Sequence, residues 1–120
     1  MKLKDIRTLL EAELICGEDR LDADIESAGA SDLMSDVLAF GKPGLLLITG
    51  LSNAQSVRTA DIIEAKAIVY VRGKKPDREG AELARKKGIP ILSTRFMMYK
   101  TCGLLYSHGL AGIVEAGGKK

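Results

Sequence analysis

Residues 44–50 read Gly44-Leu45-Leu46-Leu47-Ile48-Thr49-Gly50, an apolar run that turns polar only at its end. Two further runs have the same character: Ala67-Ile68-Val69-Tyr70-Val71-Arg72-Gly73 and Ile89-Pro90-Ile91-Leu92-Ser93-Thr94. Each run is too short to cross a membrane and is apolar on both faces, which is typical of central strands in a parallel sheet covered by helices. We therefore predict that the three runs form adjacent, parallel strands that are buried on both faces.

A helix is predicted after each of the three runs, at about residues 54–65, 77–87 and 95–107. In the first helix, Val57, Ile62 and Ile63 form the predicted apolar side, and Gly88 is the predicted end of the second. The predicted N-cap residues, in chain order, are Ser52 or Asn53, Asp77, and Ser93 or Thr94.

The first part of the chain predicts a smaller α-β-β-α piece. Residues 3–11 have helical spacing, and residues 14–16 read as a short strand. Residues 24–30 are ambiguous, with an edge strand as one interpretation. Ser31 is a predicted cap for a helix that ends at Gly41. Together with the β-α-β-α-β-α order that follows, this predicts an α/β fold: a three-layer domain with a central, mostly parallel sheet and helices on both faces.

The composition is that of an ordinary globular domain. The chain has 120 residues, 46% of them hydrophobic and 28% charged, which predicts a single domain over 1–120. A net charge of +2 and the lack of tryptophan argue against nucleic acid as a partner. The first residues have no apolar signal-peptide core, so we expect a cytoplasmic protein with no membrane partner. We expect a flexible tail at about 115–120.

The cysteines and the histidine indicate no catalytic or metal site. Cys16 and Cys102 are isolated in the sequence and are expected to be reduced. One histidine and two separated cysteines cannot form an ordinary structural zinc site, so we expect no metal and no cofactor. Cys102 and His108 are six residues apart and lie on different sides of a helix, which argues against a nucleophilic pair.

Polar and glycine residues follow the three predicted strands, where open α/β sheets bind ligands. A guanidinium or ammonium group there, or the exposed amides of a helix N-terminus, could hold an anion. The alternative interpretations are a plain strand-to-helix turn and a solvated basic loop. The candidate ligand-binding residues are Thr49, Gly50, Ser52, Asn53, Arg58, Arg72, Gly73, Lys74, Ser93 and Thr94.

Three functions remain open at this stage. The first is a non-catalytic regulatory domain that binds a small anionic metabolite or nucleotide, or a protein partner, at the strand ends. The second is a small phosphate-handling enzyme or accessory that uses Arg72, Lys74 and Ser93 or Thr94. The third is an assembly module without a small ligand.

The last predicted helix is apolar around nearly its whole circumference, which predicts burial on more than one side. In a small domain the second side can be another subunit, so we expect a homo-oligomer, most simply a dimer. The candidate interface residues are Met97, Leu105 and Tyr106.

Over about residues 2 to 113 the chain resembles the DRTGG domain family, and it is also similar to the N-terminal domain of HPr kinase/phosphorylase. The resemblance is carried by residues 2–6 (KLKDI), 29–37 (GASDLMSDV), 67–76 (AIVYVRGKKP) and 83–94 (LARKKGIPILST). The family's Thr-Gly-Gly falls on Val71-Arg72-Gly73, so that only the last glycine is kept. The nearest match to the Asp-Arg element is Arg58, with Asp61 three residues on.

The resemblance implies an α/β fold with a central, mostly parallel sheet and helices on both faces. It also implies a regulatory or binding role rather than a catalytic one, because such domains occur beside phosphotransacetylase, CBS and kinase modules. On this reading the chain is a divergent, stand-alone member of the family.

Overall fold

The structure is a computed structural model that describes residues 1–113, so the predicted flexible tail at 115–120 lies outside the described residues. Within that range no helix is long and apolar enough to cross a membrane. The helices are α1 (Leu3–Leu9), α2 (Met34–Phe40), α3 (Ala54–Ile62), α4 (Arg78–Lys87) and α5 (Met98–Ser107). The strands are β1 (Glu13–Cys16), β2 (Ser27–Ala30), β3 (Leu45–Thr49), β4 (Ala67–Tyr70), β5 (Ile91–Ser93) and β6 (Ala111–Gly112).

The strands form one sheet in the order β1-β5-β4-β3-β2-β6. All neighbouring pairs are parallel except β1 and β5, which are antiparallel. The three apolar runs are β3, β4 and β5, side by side, and every residue of these strands is buried. The prediction of three adjacent, parallel strands buried on both faces is therefore confirmed.

Alternate side chains of the central strands enter two separate cores. Leu45 and Leu47 of β3 pack with residues of α2, α3 and α4 on one face of the sheet. Leu46 and Ile48 pack with residues of α1 and α5 on the other face. This alternation follows from the two-residue period of a strand. The result is the predicted three-layer α/β domain, with three helices on one face and two on the other.

The sheet differs from the prediction at its edges. Residues 27–30 form β2, but β2 is not an edge strand, because it pairs with β3 on one side and with β6 on the other. The strand β6 was not predicted, because its two residues, Ala111 and Gly112, are too few to show a periodic pattern.

Several helix boundaries also need correction. Ser31 does not cap α2; the N-cap is Leu33, whose amide donates a hydrogen bond to Ser31 Oγ (3.0 Å) in a local turn. The helix α3 ends at Ile62 rather than Ala65, and the Ile62 side chain is 68% exposed instead of lying on the apolar side. The helix α5 begins at Met98, three residues later than predicted. The Asp77 cap and the Gly88 end of α4 are as predicted.

Candidate functional site

The carboxyl edge of the sheet has one position where neighbouring strands send their chains to opposite faces. The segment after β4 leads to α4 on one face, whereas the segment after β5 leads to α5 on the other. In open α/β sheets the crevice at such a switch point is the usual place for a ligand. The space between the ends of β4 and β5 is therefore the first position to consider.

In this chain the switch point is closed by bonds between its own two loops. The Arg72 amide donates to the Phe96 carbonyl (2.9 Å), and the Gly73 amide donates to the Thr94 carbonyl (2.8 Å). The Ser93 hydroxyl donates to the Lys74 carbonyl (2.6 Å). These three bonds join the loop after β4 to the loop after β5, so a ligand has no open crevice between the two strands.

Thr94 is likewise committed to the fold. Its hydroxyl donates to the carbonyl of Leu10, at the end of α1, over 2.7 Å, and it accepts a hydrogen bond from the Phe96 amide (3.2 Å). The Thr94 side chain is fully buried. The structure therefore assigns Ser93 and Thr94 to loop and helix packing rather than to helix capping or to a solvent-facing site.

The helix N-termini at this edge carry caps of their own. The Asn53 side-chain oxygen accepts hydrogen bonds from the amides of Gln55 (3.1 Å) and Ser56 (3.4 Å). Asp77 does the same for Gly80 (2.7 Å), and the Asp77 amide bonds to the Ser52 carbonyl (3.3 Å). Because these amides already have acceptors, they are not free donors for an anion.

A carboxylate that the sequence analysis missed organises the end of β3. Asp32, which follows β2, accepts hydrogen bonds on Oδ1 from the Gly50 amide (2.6 Å) and from the Thr49 hydroxyl (3.2 Å). Thr49 in turn accepts a hydrogen bond from the Leu51 amide (3.1 Å). Thr49 is fully buried, whereas Asp32 is exposed to solvent. Asp32 and the end of β3 thus form a built surface beside Gly50.

Arg72 completes this surface. Its backbone is left-handed, with φ of 61°, and Gly73 follows with φ of 70°, so the two residues form a tight turn closed by the Lys74 amide on the Val71 carbonyl (3.1 Å). The turn places the Arg72 guanidinium against Gly50, with Cζ 3.2 Å from the point where a Cβ on residue 50 would lie. Among residues 1–113, no carboxylate lies within ion-pair distance of Arg72.

Other cations lie in the loops after β4 and β5 and in the first turn of α5. Lys74, Arg95 and Lys100 have no carboxylate partner in the part of the chain that the structure describes, although Lys100 lies over the Phe96 ring at 3.9 Å. Lys75 is paired with Glu13 (3.0 Å). The loops after β4 and β5 and the first turn of α5 therefore carry an excess of positive charge at this edge of the sheet, which favours an anion.

Arg58 does not join this surface. It is one turn into α3, and its Nη1 contacts Glu79 on α4 at 3.4 Å, in an exposed ion pair between the two helices. Of the predicted ligand-binding residues, the structure brings Gly50, Arg72, Gly73 and Lys74 together. Thr49, Ser52, Asn53, Ser93 and Thr94 support that edge of the sheet through hydrogen bonds within the chain.

The candidate interface residues of α5 separate in the structure. Leu105 is 2% exposed and packs in the core shared with α1, so it is not available to a partner. Met97 and Tyr106 are 61% and 76% exposed. The sequence could not distinguish these positions, because every side of this helix carries apolar residues.

Neither cysteine is activated. Both thiols are free, and burial raises the pKa of Cys16 and of Cys102 above its ordinary value. Within residues 1–113, no three of the His, Cys, Asp and Glu side chains are grouped so that they could hold a metal ion.

The fold has a known counterpart. No protein-family model matches the chain, and no curated protein sequence matches it. A solved structure of the CBS and DRTGG domains of the regulatory region of Clostridium perfringens pyrophosphatase, complexed with its activator diadenosine tetraphosphate, is similar to 87% of this chain with a TM-score of 0.74. The two sequences are 21% identical, and the chain spans 45% of the length of that structure. The chain therefore has a DRTGG-like fold, as the sequence resemblance predicted.

Proposed function

We propose that the chain is a cytoplasmic, non-catalytic regulatory domain that binds a nucleotide or a related anionic metabolite at the carboxyl ends of β3 and β4. One observation carries the proposal. The Arg72 guanidinium lies against Gly50, next to a left-handed turn whose backbone is bonded to Phe96, and no carboxylate within residues 1–113 lies within ion-pair distance of it. An unpaired guanidinium is well suited to bind phosphate or carboxylate with two hydrogen bonds.

We expect the ligand to be bound by side-chain donors rather than by backbone amides. Asn53 and Asp77 accept hydrogen bonds from the amides of Gln55, Ser56 and Gly80, and the Gly50 amide is bound to Asp32. In the loop after β4, the cations without a carboxylate partner within residues 1–113 are Arg72 and Lys74. Binding that rests on exposed side-chain cations is sensitive to ionic strength, so we expect the affinity to fall as salt is added.

Asp32 favours a nucleotide over a simple inorganic anion. Only its Oδ1 is bonded to the end of β3, and Oδ2 has no partner among residues 1–113, so it can accept hydrogen bonds from solvent or from a ligand. In dinucleotide-binding α/β folds an acidic residue accepts a hydrogen bond from a ribose hydroxyl. A nucleotide whose ribose hydroxyl donates to Asp32 and whose phosphate accepts from Arg72 would provide a partner for both side chains. The activator bound to the regulatory region of similar fold is also a nucleotide, which makes adenine nucleotides the first probes.

The test is isothermal titration calorimetry with AMP, ATP, diadenosine tetraphosphate and inorganic phosphate. We expect at least one nucleotide to bind, and Arg72→Gln to weaken that binding by roughly 10-fold to 150-fold, the range for hydrogen bonds to charged groups. Arg58→Gln is the matched control, because Arg58 is an exposed arginine of the same region that is already paired with Glu79. Its affinity should equal that of the unmodified chain.

Asp32→Asn separates a nucleotide from a bare anion. The amide oxygen can still accept from Gly50 and Thr49, so the end of β3 is preserved, while the second oxygen is replaced by a donor. We expect weaker binding of AMP and no loss of phosphate binding. Failure of all four probes at millimolar concentration, or equal affinity of the Arg72→Gln variant, contradicts the proposal.

The alternative functions give different results in the same experiment. A phosphate-handling enzyme would release phosphate or AMP from the bound nucleotide over hours, and no such turnover is expected. A binding site for a protein partner or a pure assembly module would leave the affinity for all four small probes undetectable.

A further inference from the structure

One side of α5 carries two large aromatic side chains with no partner in the described chain. Tyr99 and Tyr106 are 93% and 76% exposed. They are seven residues apart, which is two helical turns or about 10 Å, and Gly103 lies between them on the same side. This face, Tyr99–Gly103–Tyr106, is called the α5 face below.

Gly103 has no packing role among residues 1–113. It lies inside α5, where glycine destabilises a helix relative to alanine. A Cβ built on Gly103 would meet nothing within 4 Å in the described part of the chain, and its φ is not in the left-handed region. Neither the backbone nor the packing of residues 1–113 therefore requires glycine. A helix of another molecule that approaches closely at this point would require it.

A groove adjoins the α5 face and is lined almost entirely by apolar atoms. It has a volume of about 590 Å³ and lies between α5 and the β2–β6 edge of the sheet. Ala28 and Ala30 of β2, Leu104, Leu110 and the three residues of the α5 face all line it. The groove exists because two helices cover this face of the six-stranded sheet, whereas three cover the other. A helix is about 10 Å wide and strands are about 4.8 Å apart, so the two helices that residues 1–113 place on this face leave β2 and β6 uncovered.

We propose that the α5 face is a two-fold contact between two copies of this chain. The helices α5 cross at Gly103, and Tyr99 and Tyr106 of each copy enter the groove of the other. A second copy is the occupant that the geometry favours, because one surface carries both the projecting rings and the groove that receives them. An isologous contact uses both features at once.

The two exposed rings provide a third to a half of the area of a standard contact. A tyrosine buries about 150–250 Å² on full burial, so the two rings supply roughly 250–420 Å² for each copy at their observed exposure. A standard interface buries about 800 Å² for each partner. Met97, which is 61% exposed at the start of α5, and the walls of the groove add to the area of the rings. The contact involves none of the residues proposed to hold the anion, so the two proposals can fail independently.

Sedimentation velocity of the chain at about 50 µM is the first test, with a dimer expected. Tyr106→Glu should raise the dimer dissociation constant by roughly 30-fold or more, because it places a charge in an apolar contact. Ile62→Glu is the matched control, since Ile62 is 68% exposed but lies on the opposite layer of helices. It should leave the dimer unchanged. A monomer at 50 µM, or a dimer that Tyr106→Glu leaves intact, overturns the proposal.

Gly103→Ala gives a second test whose sign depends on the dimer. In a monomer the substitution improves helix propensity in open space and should raise the melting temperature by roughly 2–6 °C. At a two-fold contact the new methyl groups face each other, so the variant should dissociate more readily and lose the concentration dependence of its melting temperature. A higher melting temperature together with unchanged association contradicts a contact at Gly103.

Cross-linking tests the two-fold axis directly. In the Cys102→Ser background, Gly103→Cys should form a covalent dimer under mild oxidation, because identical residues meet only near a two-fold axis and a disulfide needs Cα atoms within about 7 Å. Ile62→Cys in the same background should stay monomeric on a denaturing gel. Equal cross-linking of the two variants would show random collision and would overturn the assigned axis.

Discussion

The guanidinium of Arg72 occupies the space beside Gly50 that any side chain at position 50 would need. A Cβ on Gly50 would lie 3.2 Å from Cζ of Arg72 and closer still to Nη2. The backbone of Gly50 is not left-handed, so it imposes no requirement of its own for glycine. The glycine at the end of β3 is therefore explained by the position of the arginine that follows β4.

Gly50→Ala should displace Arg72 without unfolding the chain. The obstructing atoms are the far end of a flexible side chain, which can move into solvent, whereas the strand itself is unchanged. We expect nucleotide affinity to fall by about tenfold in calorimetry, while the melting temperature changes little. In an Arg72→Gln background the same substitution should cause no further loss, because the group that it displaces is absent.

The left-handed backbone of Arg72 leads to a prediction that separates stability from binding. A non-glycine residue at φ of 61° is strained by roughly 1 kcal/mol. Arg72→Gly should therefore be more stable than Arg72→Ala by about 1 kcal/mol in urea unfolding, although both variants lose the guanidinium and bind nucleotide equally poorly. Equal stability of the two variants would show that the turn relaxes without cost.

Asn53 should affect the fold and not the ligand. Its side-chain oxygen holds the first amides of α3, so Asn53→Ala should lower the free energy of unfolding by about 1 kcal/mol. Asn53→Ser should restore most of that loss, because serine is also a good cap. Nucleotide affinity should be the same in all three proteins, and a change in affinity with Asn53→Ser would place residue 53 in the binding site.

Tyr70 should make the chain less stable at alkaline pH. Ser56 donates its proton to the Asn53 carbonyl (2.8 Å), so the Tyr70 hydroxyl must donate to Ser56 Oγ (2.7 Å). Burial raises the pKa of Tyr70 above its usual value of 10. The folded state thus holds the proton more tightly than the unfolded state, and stability falls as pH rises through about 10.

Tyr70→Phe removes both the bond and the titration. Below pH 9 it should lower the free energy of unfolding by about 0.5–1.5 kcal/mol, the contribution of one hydrogen bond. Above pH 10 the difference between the two proteins should shrink. The buried thiols titrate in both proteins, so their effect cancels in the comparison. Parallel pH profiles would show that Tyr70 has the same pKa in the folded and the unfolded state, which contradicts the prediction.

The positions of strands and helix ends that depend on local sequence could be predicted. The runs β3, β4 and β5 are apolar on both faces, which only a covered central strand allows, and Asp77 and Gly88 are strong local signals for the ends of α4. Predictions from local sequence were wrong where a side chain bonds instead to a residue that is distant in the sequence. Ser93 and Thr94 precede a helix, as N-cap residues do, but their hydroxyls donate hydrogen bonds to the carbonyls of Lys74 and Leu10.

The candidate site was predictable only in part, for the same reason. Arg72 and Lys74 follow a strand and were placed at the correct edge of the sheet. Asp32 was missed because its role depends on β2 pairing with β3, which brings residue 32 beside residue 50 across 18 positions of sequence. The sequence could not show that Leu105 is buried and Tyr106 exposed, because a helix that is apolar on all sides does not indicate which side faces the core.

The backbone bonds that close the switch point also connect two surfaces of the molecule. Arg72 is bonded through its amide to Phe96, and Lys100 in the first turn of α5 lies over the Phe96 ring. The turn at residue 72 therefore adjoins the start of the helix that carries Tyr99 and Tyr106. If the two sites are coupled, reciprocity requires that the ligand strengthen association of the copies by the same factor by which association strengthens ligand binding. This domain would then report the level of its ligand to whatever is joined to it through a change in monomer–dimer equilibrium.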